Sequence, residues 1–175
     1  RSTQGLEVVM RSTSDGSKKG DGVGARGTCG WIIQHPWKHD KEHKACRVVA
    51  GGSVVHGDPR WITSARAELM GVLLVTVYLV RSGWKYDVRH YLDNDAVVQK
   101  ASRQLRWMVA MNAEESVDME AGSRLSDWLR ACDPDLWAEW QHWRGRLLGK
   151  MTLCWHRGHP EKRCKNRGLW TKQDW

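Results

Sequence analysis

The sequence predicts one mixed α/β domain: a five-stranded sheet, antiparallel over its first three strands and parallel thereafter, flanked by helices. Three observations predict it. Three apolar, β-branched runs of strand length come in succession before any helical pattern begins. A long apolar segment then opens on a capping residue and closes on a glycine, after which strand and helix patterns alternate. Finally, 175 residues with 41% hydrophobic content are enough for a single domain burying roughly 70% of the surface its unfolded chain exposes.

Each element can be justified in turn. "GLEVVMRSTS" (5–14) alternates and reads as a strand ending near Asp15, and "GTCGWIIQ" (27–34) as its hairpin partner across a glycine-rich turn. "HPWKHDKEHKA" (35–45) is polar and carries a proline, which makes it a loop, and "CRVVAGGSVV" (46–55) is a third strand. "SARAELMGVLLVTVYLVRSG" (64–83) has Ser64 as a plausible cap and Gly83 as a stop; apolar on most sides, it should be a helix buried against the sheet. "YDVRHYLDN" (86–94) is a fourth strand and "DAVVQKASRQLRWMV" (95–109) a second helix. Residues 111–122 are weakly patterned and read as a loop. The stretch 123–150 holds one or two helices broken near Asp133 and Pro134, "MTLCWHRG" (151–158) is a fifth strand, and a basic tail follows. The order places helices on the faces of a mixed sheet, with no internal repeat.

Charge narrows the partner. The 28 Lys and Arg outnumber the 20 Asp and Glu, giving a formal charge of +8 and a pI near 9.5. Such a balance favours a polyanion, most often nucleic acid. The five cysteines are odd in number and form no C-x-x-C pair, so they read as free thiols in a reducing, intracellular setting. The longest apolar run, Leu69 to Val80, falls well short of the roughly 20 residues a membrane span needs. No signal-peptide pattern or initiator Met opens the chain, which reads as a piece of something longer.

Three acids fall at related places: Asp15 at the predicted end of the first strand, Glu68 in the first turns of the long helix, Asp93 at the end of the fourth strand. Carboxylates at the ends of adjacent strands converge on one sheet edge, and a helix crossing that edge adds another. Grouped this way they repel one another unless a cation sits among them. Oxygen ligands of this kind suit Mg2+ or Mn2+.

At this point the residues resemble a known family. "SDGS" (14–17), "ARAELMGV" (65–72), "YLDNDAVV" (91–98) and "WHRGHPE" (155–161) are similar, in order, to the four motifs of the ribonuclease H family. The tail "RGHPEKRCKNRGLWTKQDW" resembles the ribonuclease H domains of retroelement polyproteins, which usually adjoin a reverse transcriptase. The resemblance implies a ribonuclease H-like fold over residues 1–175 and cleavage of the RNA strand of RNA/DNA hybrids. It implies two Mg2+ ions, with Mn2+ able to substitute. Asp15, Glu68 and Asp93 match the first three family carboxylates, and His159 matches the flexible histidine near the scissile phosphate. In the implied two-metal scheme Asp15 bridges both ions, Asp93 serves the attacking side and Glu68 the leaving side. His159 shuttles protons or helps release product. His156 competes with His159, and Asp95 with Asp93, although Asp95 reads equally as a helix cap.

The chain departs from the family at the fourth carboxylate. "NRGLW" (166–170) offers Trp170 where the family has Asp. Three placements stay open: the acid lies beyond Trp175, the chain being truncated before its last helix; it is Asp174, the only later acid; or it is lost. Truncation is the favoured reading.

Other readings weigh less. "DGSKKGDG" (15–22) lacks the alternating ligands and late Glu of a calcium loop and the Gly-Lys-Ser/Thr of a P-loop. "HDKEH" (39–43) matches an inverted zinc-protease motif but sits in a polar loop rather than on a helix. Cys154, His156, His159 and Cys164 form a possible zinc quartet; a buried cysteine beside a basic loop is favoured over it. Trp137, Trp140 and Trp143 recur at helical spacing before Arg144, Arg146 and Lys150, and core packing is favoured over a nucleic-acid grip. The tail residues Arg157, Lys162, Arg163, Lys165 and Arg167, with Lys172, are the better electrostatic candidates for nucleic-acid contact. Against an active nuclease stands one alternative of another class, a non-catalytic nucleic-acid-binding or scaffolding module.

Overall fold

The computed structural model describes residues 10–35, 47–112 and 133–156. Five strands, β1 (Met10–Lys19), β2 (Arg26–His35), β3 (Arg47–Val54), β4 (Val88–Leu92) and β5 (Met151–Trp155), form one sheet. Its order is β3-β2-β1-β4-β5. The first three pair antiparallel, whereas β1–β4 and β4–β5 are parallel. Three helices accompany them: α1 (Ser64–Arg81), α2 (Asp95–Asn112) and α3 (Pro134–Arg144).

Strand alternation sorts β1 into two faces. Met10, Ser12 and Ser14 point inward and are buried, while Arg11, Thr13 and Asp15 point outward and are exposed. The hairpin to β2 turns through Gly20 at φ +75° and Gly22 at φ +57°, conformations that cost glycine little and other residues more.

Helix α1 begins one residue earlier in role than its sequence suggests. Thr63 is the cap, its hydroxyl accepting the Arg66 N–H, and Ser64 is already the first helical residue. At the other end, Gly83 at φ +66° donates to the Val80 carbonyl and Trp84 to that of Leu79, the paired bonds of a Schellman ending. Between the caps, Ala67, Leu69, Val72, Val75 and Leu79 are buried, and the helix packs on β1, β2 and α3. Helix α3 starts on Pro134 at its first turn, where a missing N–H costs nothing. Its Trp137 and Trp140 are 2% and 1% exposed, and the Trp140 indole N–H donates to the Thr76 hydroxyl on α1 at 3.2 Å. These tryptophans are core, the favoured reading of their spacing.

Other differences from expectation have physical causes. The first strand does not end near Asp15; it runs on to Lys19 because β2 pairs with it along the whole hairpin, down to Lys19 opposite Arg26. Helix α2 continues to Asn112, into the stretch read as a loop. Helices flank the sheet, as expected. Among the described residues, one core cluster unites α1, α2 and α3 with the inward side chains of the strands, and the other face leaves Ile32, Val48 and Val54 exposed. Residues 5–9 of the first predicted strand, the 36–46 loop with its histidines, and 113–132 lie outside the described residues.

Candidate metal centre

The parallel pairing of β1 with β4 runs from Met10 opposite Val88 to Thr13 opposite Tyr91. Carried two residues further, the same register sets Asp15 beside Asp93, just past the end of β4. Asp15 therefore reaches the sheet edge without ending its own strand: the edge exists because β4 is short. Helix α1 supplies the third acid. Its fifth residue, Glu68, lies over Gly16, whose backbone N–H donates to Glu68 Oε1 at 3.1 Å.

The fit is tight enough to demand glycine. A Cβ at position 16 would stand 2.3 Å from the Glu68 backbone nitrogen and 2.4 Å from the Ala67 carbonyl carbon. One turn further along α1, Gly71 does the same over Ser14, where a Cβ would come within 2.7 Å of the serine Cβ. Two glycines thus let α1 lie directly on β1 and carry Glu68 to the edge.

One carboxylate oxygen from each of Asp15, Glu68 and Asp93 falls in a group spanning no more than 4.8 Å. Asp15 is exposed, Asp93 half-buried and Glu68 only 3% exposed. Burial pushes the Glu68 carboxyl up to about 9, the Asp93 carboxyl adds to the rise, and the Gly16 N–H opposes it. Glu68 Oε2 is buried with no hydrogen-bond donor among the described residues. A buried oxygen left without a donor is costly, and three crowded carboxylates repel. A divalent cation would satisfy the oxygen and screen the repulsion, so the residues fit one.

The flanking residues hold this arrangement. His90, on β4, is 0% exposed and bridges two serines of β1: Ser12 Oγ lies 2.9 Å from Nδ1 and Ser14 Oγ 2.9 Å from Nε2. Burial drives its imidazole down to about 3, so the ring is neutral and carries one proton. On α1, Arg66 donates to Asp133 at 2.9 Å and to Asp135 at 2.9 and 2.6 Å, and to the His56 carbonyl. It clamps the start of α3 against the helix that bears Glu68.

Of the competing residues, Asp95 is not in the cluster. It opens α2 and accepts from Gln99, while the cap is Asn94, whose Oδ1 accepts the Val97 N–H at 3.3 Å. His156 packs edge-on against Tyr91. His159, Asp174, Arg157, Lys162, Arg163, Lys165, Arg167 and Cys164 lie outside the described residues. The Cys154 thiol, raised by burial, donates weakly to the Thr152 carbonyl. The sequence reading missed Gly16, Arg66 and the serine–histidine bridge. A signal for His90 existed, since it stands between Val88 and Leu92 on the inward side of an alternating strand.

Neither a protein-family model nor a curated protein matches the sequence. Solved structures do. LC9-RNase H1, described as a type 1 RNase H with the type 2 active-site motif, superposes over 90% of this chain and 67% of its own length, at 15% identity and a TM-score of 0.58. The fold is that of ribonuclease H. RNase H1 from Halobacterium salinarum matches 83% of this chain and 85% of its own, at 16% identity and a TM-score of 0.46. The foamy viral protease-reverse transcriptase, solved with dsDNA, matches 87% of this chain and 83% of its own, at 11% identity and a TM-score of 0.46. Within the ribonuclease H fold, the carboxylate group of this chain comes from central β1, the residue just after its parallel neighbour β4, and the helix α1 packed on β1.

Proposed function

We propose that the chain is a metal-dependent endoribonuclease that cleaves the RNA strand of RNA/DNA hybrids, the RNase H domain of a retroelement reverse transcriptase polyprotein working inside the cell. The observation that carries this reading is the group of Asp15, Glu68 and Asp93 oxygens within 4.8 Å, beside a Glu68 Oε2 that is buried and without a donor among the described residues. Its chemistry suits hard divalent cations, and Mg2+ is the proposed one, with Mn2+ as substitute. Bound there, such ions supply a water of lowered pKa and stabilise the departing 3′ oxygen.

The chain's own residues do the rest. Asp15, Glu68 and Asp93 hold the cations, and the Gly16 N–H keeps Glu68 aimed at the edge. His159 is assigned to moving a proton near the scissile phosphate or helping product leave, and Asp174 remains one candidate for a further ligand. Arg11 and Arg89 stand opposite each other, both exposed, on the outward face of β1 that carries Asp15 four residues later. They are proposed, like the basic tail residues Arg157, Lys162, Arg163, Lys165 and Arg167, as contacts for the phosphates of a polyanion. Discrimination of RNA from DNA then rests on backbone and 2′-hydroxyl contacts.

The test is cleavage of a labelled hybrid by the wild type and by Asp15→Asn and Asp93→Asn, with melting temperatures alongside. Both variants should lose cleavage and keep the fold, because losing a ligand removes the chemistry while relieving repulsion. Cleavage at the wild-type rate by either variant refutes the site. A wild type that binds hybrid in Mg2+ without cutting it favours the non-catalytic binding or scaffolding module.

A further inference from the structure

The three acids are carried by three different elements, and one buried polar cluster touches all three. Ser12 and Ser14 belong to β1, which carries Asp15; His90 belongs to β4, which ends at Leu92, one residue before Asp93. Gly71, against which Ser14 packs, lies one turn after Glu68 on α1. Ser12, Ser14 and His90 are 2%, 5% and 0% exposed, inside a core otherwise made of groups such as Met10, Leu92 and Val72. Polar groups in such a place rarely add stability over apolar ones of similar shape, but fully bonded they fix one arrangement.

The geometry makes that arrangement specific. His90 pairs with Ser12 in the sheet register, and its ring reaches both Ser12 and the next inward residue, Ser14. A neutral imidazole has one N–H and one bare nitrogen. One serine must therefore accept from the ring and the other donate to it, so neither hydroxyl can be lost without leaving a buried ring atom unmatched. Sliding β4 along β1 by a residue would break both bonds and part Asp15 from Asp93.

We propose that Ser12, His90 and Ser14 act as positioning residues for the carboxylate site, setting β1, β4 and α1 in the register that lets three carboxylates share a cation. The inference rests on the reading of Asp15, Glu68 and Asp93 as metal ligands. It concerns how the ligands are held rather than what they cleave.

The experiment is calorimetric titration of Mn2+ into the wild type, Ser14→Ala, His90→Leu and His90→Gln. It is run at a temperature where circular dichroism shows each folded. Removing a partner that orients ligands typically lowers metal affinity by about 10–100-fold. Ser14→Ala and His90→Leu should fall in that range, and His90→Gln, which keeps a donor and an acceptor, should recover most of the loss. If His90→Leu does not fold, Ser14→Ala decides. Variants that melt earlier yet bind Mn2+ within about twofold of wild type overturn the proposal and leave the metal site standing. A wild type that does not bind Mn2+ overturns both, and is recognised by the wild-type titration alone.

Discussion

Replacing Gly16 by alanine tests how closely the fold and the site depend on each other. The new Cβ would lie 2.3 Å from the Glu68 nitrogen, 1.1 Å inside the 3.4 Å at which ordinary contact begins, and the atoms it meets are backbone. Helix α1 must therefore back away from β1 by about an ångström, or β1 must bend. Overpacking of this kind costs roughly 1–3 kcal/mol. At about 2–4 °C per kcal/mol for a chain of this size, the melting temperature should fall by about 2–12 °C. The displaced atoms include Glu68 itself and the N–H that bonds it, and an ångström of misplacement costs on the order of 100-fold in rate. Hybrid cleavage in Mg2+ and thermal melting are measured together. Gly24→Ala is the control, since a Cβ there meets nothing within 4 Å, and it should match the wild type in both. A Gly16→Ala protein with wild-type rate and melting temperature would refute the argument that this glycine seats Glu68.

The remaining predictions use the buried charges. Without divalent metal, Glu68 is raised from 4.5 to about 9, so the folded state holds a proton the unfolded state has lost. Stability should decline between those values as pH rises, by up to about 1.4 kcal/mol per pH unit; Glu68→Gln should flatten melting curves taken from pH 6.5 to 9. His90 works in the opposite sense: lowered from 6.5 to about 3, it makes the fold lose stability as pH falls through that window, and its imidazole signals should not titrate between pH 7 and 4. Arg66→Met leaves Asp133, whose side chain is 8% exposed, without its cation and should cost about 3–5 kcal/mol by urea unfolding; a loss below about 1 kcal/mol would contradict the clamp. Hybrid binding by the wild type should weaken steeply with salt and differ little between unrelated sequences, and a flat salt titration would point to a protein partner instead.

Much of the fold was legible because its signals are local. The alternation of β2, the apolar length of α1 between its caps and the proline at the head of α3 each follow from a few consecutive residues. The three carboxylates were legible as a set because each stands in a short acidic motif on, or just after, its own strand or helix. Asp15 was misplaced within its strand, since the length of β1 is decided by β2 and the edge by the shortness of β4, neither of which Asp15's neighbours reveal. Arg66 was hidden in a helix read as apolar; its partners Asp133 and Asp135 lie 67 and 69 residues away. Thr63 was overlooked as a cap because Ser64 is an equally good capping residue, and only backbone geometry separates the two.

The parallel contact between β1 and β4 joins residues 78 apart, as in the Ser12–His90 bond, and Gly16 meets Glu68 across 52. Contacts of such separation close slowly, after local hairpins and helices have formed. The acids are therefore strangers to one another for most of the folding reaction, and their mutual repulsion is felt only when the last strands dock. A cation that prefers the assembled trio has little to grip earlier. Added metal should leave the refolding rate almost unchanged and act instead by slowing unfolding, so that occupancy of the centre governs how long a folded molecule lasts rather than how quickly one is made.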